Sequence, residues 1–317
     1  MKDEQKRSKG MKVLFVYRGY GEKLTNSSID FQRLSFNGQG MEVVSFPIAK
    51  GGIGGYLQSL RRLRKFIRLQ PVAVVHAHYS ISGFIARLAT KRPVICSLMG
   101  SDLLQVGGFM RLLTRFFYRW LWNVTIVKSE EMQNLLPRAH LVPNGVDLAN
   151  FREIPRSEAM QKTGFDPMYK HIIFVAQNPA STVKNFAIAE AGVGLLDNPA
   201  VHLHVISNQP LAELPYYYAA ADLLLLTSFS EGSPNVIKEA MACNCPIVST
   251  AVGDVREVLA QTSGTYICAP EARDVAEKIR QALDFGKRTN GREKILHLDS
   301  HTIAQKFLVI YQSIADA

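Results

Sequence analysis

Long apolar runs are missing from this 317-residue chain. No stretch reaches the ~20 consecutive apolar residues that cross a bilayer. The charged opening, Met1 to Gly10, lacks the apolar centre of a secretory leader, so a cytoplasmic protein is expected. Cysteine is scarce too. Cys96, Cys243, Cys245 and Cys268 lie in or beside apolar, strand-like segments, with no Cys-x-x-Cys or Cys/His spacing. That argues against zinc and against a disulfide framework, and for reduced packing residues. Asp-x-Asp, a common cradle for a divalent cation, does not occur, and no metal is expected. Acidic residues are in short supply in one half only: residues 1–145 carry 22 Lys/Arg against 8 Asp/Glu, and residues 146–317 carry 15 against 19. The overall +10 therefore splits into +14 and −4, which points the first half at something anionic: a phosphate-bearing acceptor, a membrane surface or nucleic acid.

What is abundant is short, β-branched apolar runs. In the first half they are Lys12–Tyr17, Glu42–Phe46, Val72–His78, Pro93–Leu98, Val124–Val127 and His140–Val142. They are apolar throughout, not at every second residue, and helical patterns separate several of them, as in a parallel sheet covered on both faces. After Pro143-Asn144-Gly145 and a polar stretch the rhythm restarts at His171–Ala176, Leu203–Ser207, Asp222–Thr227, Pro246–Ser249 and Thr265–Cys268. The expected fold is α/β, with two doubly wound, Rossmann-like domains. Residues 1–10 read as a disordered extension, 11–145 as the first domain and 146–300 as the second, with 301–317 as a closing segment.

The segment richest in chemistry follows the run Leu223-Leu224-Leu225-Leu226. It reads Glu231-Gly232-Ser233-Pro234-Asn235-Val236-Ile237-Lys238-Glu239-Ala240-Met241-Ala242, a strand, a tight loop and a helix in order. Ligands of doubly wound folds bind at the carboxyl ends of strands, and a helix N-terminus favours phosphate. Gly232 permits close backbone approach, and the amides after Ser233 open the helix. Glu231 precedes that helix and Glu239 lies about two turns on, so the two carboxylates can bracket one nucleotide sugar.

With this Glu-x7-Glu segment the sequence resembles the retaining glycosyltransferases of family 4, the group 1 class with the two-Rossmann GT-B architecture. Val142-Pro143-Asn144-Gly145-Val146-Asp147, Val75-His76-Ala77-His78-Tyr79-Ser80 and Ala242-Cys243-Asn244-Cys245-Pro246-Ile247-Val248 resemble other family segments in the same order. The resemblance implies two domains facing each other across a cleft, the second holding a nucleoside-diphosphate sugar and the first receiving the acceptor. The closing segment would pack back on the first domain. It implies that Glu231 contacts the donor sugar, Glu239 the ribose, and backbone amides from Ser233, Pro234, Asn235 and Val236 the phosphates. Gly19 and Gly21, after the first strand, would lie near the diphosphate. The family's basic pair is represented by Lys184 alone, because Ala176 to Phe186 contains no arginine. Asn178, Ser181 or a distant arginine such as Arg18 are the substitutes to consider. Where many members place a histidine near the reacting sugar, this chain has Met99.

His78 is a candidate catalytic residue or a structural histidine, and Asp102 has the same two readings on the acceptor side. Arg61, Arg62 and Lys65, crowded with Arg64 and Arg68, are further acceptor-side candidates. Arg111, Arg115 and Arg119 fall on one stripe of a helical segment rich in Phe, Leu and Trp, either packed into the domain with a solvated basic edge or lying at a lipid interface. A nicotinamide site is excluded by Leu24 in place of a third glycine and by Phe46-Pro47 where an acidic residue should end the next strand. No nucleic-acid motif accompanies the basic charge, so no nucleic-acid partner is expected. The expected activity is transfer of a sugar, with retention, to a glycan or lipid-linked acceptor, with no cofactor. A catalytically silent relative serving as a binding partner, or a sugar-nucleotide epimerase of the same fold, is the alternative.

Overall fold

The computed structural model describes residues 10–19, 27–36 and 39–315. It divides into two compact units, Met1–Pro143 with Ser300–Ala317, and Asn144–Asp299. The expected disordered extension and Gly21 lie outside the described residues, except Gly10, whose N–H donates to the Gly40 carbonyl at 3.1 Å.

The first unit is built on a parallel sheet of β1 (Met11–Arg18), β2 (Met41–Ile48), β3 (Val74–His78), β4 (Val94–Ser97), β5 (Val124–Val127) and β6 (His140–Leu141), in the order β2-β1-β3-β4-β5-β6. Successive side chains of a strand face opposite ways, and both faces of this sheet are covered. On one, Leu14, Val16, Val75, Ala77, Val94, Cys96 and Leu98 pack with Leu63 and Ile67 of helix Gly52–Leu69, Phe84 and Ile85 of helix Ser80–Ala89, and Phe117 of helix Gly108–Trp120. On the other, Phe15 and His76 meet Phe36, Phe307 and Tyr311, the last two from helix Ser300–Ala315. Tyr311 Oη and His76 Nδ1 are hydrogen-bonded at 2.7 Å. The final helix thus completes the core of the first unit.

The second unit carries β7 (Lys170–Val175), β8 (Val201–Ile206), β9 (Leu223–Leu226), β10 (Ile247–Thr250) and β11 (Thr265–Cys268), again all parallel, in the order β11-β10-β9-β7-β8. Ile172, Phe174, Leu223, Leu225 and Val248 are buried against Ala189 of helix Phe186–Gly194 and Val275, Ile279 and Ala282 of helix Ala272–Phe285. Apolar runs without alternation foretold parallel sheets, and the strand bounds agree with the sequence reading to within two residues. All four cysteines are free and buried. Desolvation pushes each thiol up, Cys268 to about 12, so none is a thiolate at neutral pH.

Candidate active site

In the second unit the loops after β7 and β9 are stitched together. The Phe229 N–H donates to the Val183 carbonyl at 2.9 Å, and Thr227 Oγ1 donates to the Asn185 carbonyl at 2.9 Å. Asn185 closes the short turn Thr182–Lys184 in a left-handed conformation, φ 51°. That stitching delivers Lys184 to Glu231: Nζ donates to Oε1 at 2.6 Å, and Ser228 Oγ donates to the same oxygen at 2.9 Å. Two residues 47 apart in sequence share one side of the sheet's carboxyl edge because β7 and β9 are neighbours.

The helix that follows runs Asn235–Ala242. It begins two residues after Ser233, with Pro234 as its cap. Pro234 has no N–H, so it cannot give the backbone contact that the resemblance implied. Ser233, Asn235 and Val236 supply the amides, and the Asn235 Oδ1 is buried without a hydrogen-bond partner. Ser233 turns its side chain inward: Oγ donates to Asp254 Oδ2 at 2.6 Å and accepts from Lys238 Nζ at 2.8 Å and from the Asn144 N–H at 3.0 Å. Lys238 is fully buried and donates to both Asp254 oxygens, at 3.1 and 2.9 Å. Gly253, at φ +57°, lets this turn approach, since a Cβ there would stand 2.5 Å from the Gly232 carbonyl oxygen.

Glu239 lies one turn into the same helix. Tyr218 Oη, buried in helix Leu214–Ala220, donates to its Oε2 at 2.7 Å. Desolvation raises the Glu239 carboxyl to about 7, against the opposing pull of the Tyr218 hydrogen bond and of Lys238. The site therefore holds one carboxylate ion-paired with lysine and another poised to ionise near neutrality. Beside them, a cavity of about 510 Å³ opens over the ends of β9, β10 and β11, lined by Ser228, Thr250, Arg256 and Pro270 among others.

The first-unit candidates are scattered. His78 ends β3, buried, its ring 4.8 Å from Phe15 and 4.2 Å from His76, and neither ring nitrogen has a partner. Burial and then the nearby Lys128 charge hold it well below the ordinary histidine range, so it is a neutral imidazole. Asp102 is buried with both oxygens taken by backbone N–H groups, Oδ2 by Ser80 at 2.8 Å and Oδ1 by Met99 at 2.8 Å and Gly100 at 3.1 Å. Burial lifts it to about 6 in spite of those bonds. It fixes the loop after β4 to the start of helix Ser80–Ala89, which is a structural duty. Arg61, Arg62 and Lys65 are exposed on helix Gly52–Leu69, over the face of the sheet opposite His78, and are not gathered with it or with Asp102. Gly19 follows β1 and donates to the Ile48 carbonyl at 3.3 Å, while Arg18 ends β1 with its guanidinium beside Gly51.

Sequence reasoning missed Tyr218, Ser228, Lys238 and Asp254. Lys238 left a signal, because Ile237, Lys238 and Met241 share the inward side of the helix, and a lysine on a buried stripe requires a buried anion. Tyr218 and Ser228 left none, since nothing in the chain says which tyrosine of the 216–218 run turns inward.

Two parallel-sheet units of this kind define the two-domain, Rossmann-like GT-B fold. Sucrose-phosphate synthase from Thermosynechococcus elongatus superimposes with a TM-score of 0.76 at 16% identity, over 96% of this chain and 98% of that one. Anabaena Alr3699/HepE, solved with UDP and glucose, gives 0.76 at 16% over 96% and 100%. The chain belongs to the group 1 glycosyltransferases: residues 170–284 match the family described as glycosyl transferases group 1, and residues 5–146 match the glycosyl transferase 4-like domain. TuaC of Bacillus subtilis, a glycosyltransferase assigned to teichuronic acid biosynthesis, is 26% identical over 65% of this chain and 60% of its own length. A D-inositol 3-phosphate glycosyltransferase of Segniliparus rotundus is 28% identical over 50% of this chain and 42% of its own. The matched stretch thus spans less than two thirds of either relative.

Proposed function

We propose that this protein transfers a sugar, with retention at the anomeric carbon, from a nucleoside-diphosphate sugar to a hydroxyl of a glycan or lipid-linked acceptor in polysaccharide or glycolipid assembly. The observation that carries the reading is the gathering of Lys184, Glu231, Glu239 and the Ser233–Val236 backbone within one unit of a group 1 glycosyltransferase chain. Glu239 accepts from the ribose hydroxyls, the amides of Ser233, Asn235 and Val236 meet the diphosphate, and Glu231 holds the donor sugar. Lys184 turns from Glu231 toward the β-phosphate as the glycosidic C–O bond lengthens and offsets the charge that develops there. The acceptor oxygen attacks on the face the phosphate leaves, and its proton passes to a β-phosphate oxygen. The lysine and the amides replace a metal, so activity persists in chelator.

Alr3699/HepE is seen with UDP and with UDP-glucose, which makes a uridine donor the first to test. The experiment is a thermal-shift series with UDP, GDP and ADP in EDTA, on wild type and Glu239→Ala. Ligand at ~100 times its dissociation constant adds about 2.7 kcal/mol. One nucleotide is expected to raise Tm by several degrees in wild type and not in the variant. No shift with any of the three would sink the donor assignment. A shift with no sugar release to water or to any acceptor would favour a silent binding partner, the reading that the missing arginine between Ala176 and Lys184 supports.

A further inference from the structure

Helix Gly108–Trp120 has a face that the glycosyltransferase reading does not use. Its inward side is core: Thr114 and Phe117 are buried, and the Phe117 ring sits 4.6 Å from Phe84. Its outward side carries Phe109, Leu112, Phe116 and Trp120, which are 76, 68, 51 and 67% exposed. Spacings of three and four residues place these four on one stripe. Arg111, Arg115 and Arg119 are exposed on the stripe beside it, and the Arg119 guanidinium lies 4.6 Å from the Trp120 ring centre. A solvated face would carry mixed charges and few large apolar groups, whereas this one has four large apolar side chains and three arginines.

The surroundings have the same sign. Residues 43–129 contain 13 Lys/Arg and one acidic residue, Asp102, which is buried. Helices Gly52–Leu69, Ser80–Ala89 and Gly108–Trp120 all pack on the same face of the sheet. Helix Gly52–Leu69 adds exposed Arg61, Arg62, Arg64, Lys65 and Arg68, preceded by exposed Ile53 and Leu57. Arginines that flank an apolar, aromatic stripe match a surface that is anionic at its rim and apolar beneath, and a bilayer of anionic lipid has that profile.

We infer that helix Gly108–Trp120 docks in the plane of an anionic bilayer, with Phe109, Leu112, Phe116 and Trp120 at the level of the upper acyl chains and Arg111, Arg115 and Arg119 on the lipid phosphates. The helix is 13 residues long, too short to span, and no helix among the described residues is long and apolar enough to cross a membrane. Docking is therefore at the interface and reversible. Lys184, Glu231, Glu239 and the Ser233–Val236 backbone, which the proposed function uses, belong to the second unit, and this helix belongs to the first.

The test uses the full chain with phosphatidylcholine vesicles, with and without about 30% phosphatidylglycerol, at low and high salt. Wild type should sediment with the anionic vesicles only, less so at high salt. The chain has two tryptophans, and Trp122 is 6% exposed, so quenching by lipids brominated on the acyl chain reports Trp120. Arg111→Glu, Arg115→Glu and Arg119→Glu together should lower partitioning by about 100-fold or more. Phe109→Ser with Leu112→Ser should keep low-salt association and lose the quenching. The nucleotide-induced Tm shift is measured on each variant as a check of folding. Its absence throughout would count against the donor reading alone. Equal or negligible binding to both vesicle types, an unquenched Trp120, or partitioning unchanged by the arginine reversals overturns the inference, as does arginine-dependent binding to an oligonucleotide without vesicle binding.

Discussion

Glu239 shows how one position combines cost and use. Its carboxyl is raised to about 7 by burial, above the ordinary value near 4.3, so the folded state binds a proton more readily than the unfolded chain. The sign follows: this group's contribution to stability is fully present below about pH 4.5 and is lost as pH rises through about 7. Glu239→Gln, which keeps an acceptor for Tyr218, should therefore raise Tm at pH 8, by an amount equivalent to about 1–3 kcal/mol, with the gain vanishing toward pH 4. Thermal melts across that range check it. If the ionised form is what receives the ribose, nucleotide affinity should instead fall about tenfold from pH 8 to pH 6 in wild type, and calorimetry at the two values would show no such fall in Glu239→Gln. Lys184 contributes differently. Its 2.6 Å contact with Glu231 is an ion pair that, in the reaction proposed above, the donor's diphosphate would reorganise, so Lys184→Ala should reduce the catalytic rate more than it reduces nucleotide affinity.

At the scale of elements, the loop and helix of the Glu-x7-Glu segment are shaped from behind. The Lys238–Asp254 pair ties the helix Asn235–Ala242 to the turn after β10, and Ser233 Oγ sits between them. The other end of the helix is held by Arg288 and Arg292, which donate to the Cys243 and Ala242 carbonyls at 2.8 and 2.9 Å, as a helix C-terminus requires. Taking one partner from a buried pair strands a charge, at a cost of about 3–5 kcal/mol, whereas replacing both with apolar groups of similar volume costs much less. Lys238→Met and Asp254→Leu should each destabilise by that amount, and the double variant by less than either, as measured by urea denaturation. Additive losses would mean that the two do not act as a pair.

For the whole molecule, the notable feature is that the chain leaves its first unit at Pro143 and returns to it at Ser300. Ile303, Phe307 and Tyr311 are buried there at 4, 1 and 0% exposure, and the Phe307 and Tyr311 rings meet Phe36 and His76. Removing a large buried aromatic costs about 3–5 kcal/mol, and loss of the helix removes several at once. A chain ending at Asp299 should keep a protease-resistant core from residues 144–299 and lose the resistance of the first unit. Limited proteolysis with mass spectrometry would reveal it, and an equally resistant first unit would refute it.

Composition and pattern carried the architecture, because a parallel sheet covered on both faces imposes continuous apolar runs that are local and countable. Thus β5 and β11 fall on the bounds read from the sequence. The Glu231–Glu239 spacing was legible for the same reason, since a helix converts a count of residues into a position. Partnership was not legible. Lys184 and Glu231 are 47 residues apart, and Ser233 and Asp254 are 21 apart; each meeting depends on strand order, which no local pattern encodes. The same limit explains Asp102. An aspartate after a strand reads as a candidate ligand, and only the folded loop showed both its oxygens already committed to backbone N–H groups. The arginine-rich helix had two readings in sequence, and burial shows packing on one side of it: Thr114 and Phe117 face the core, while Phe109, Leu112, Phe116 and Trp120 face out. Sequence sets periodicity, and therefore which residues share a stripe; tertiary packing decides which stripe is covered, because burial depends on neighbours that the chain brings from far away.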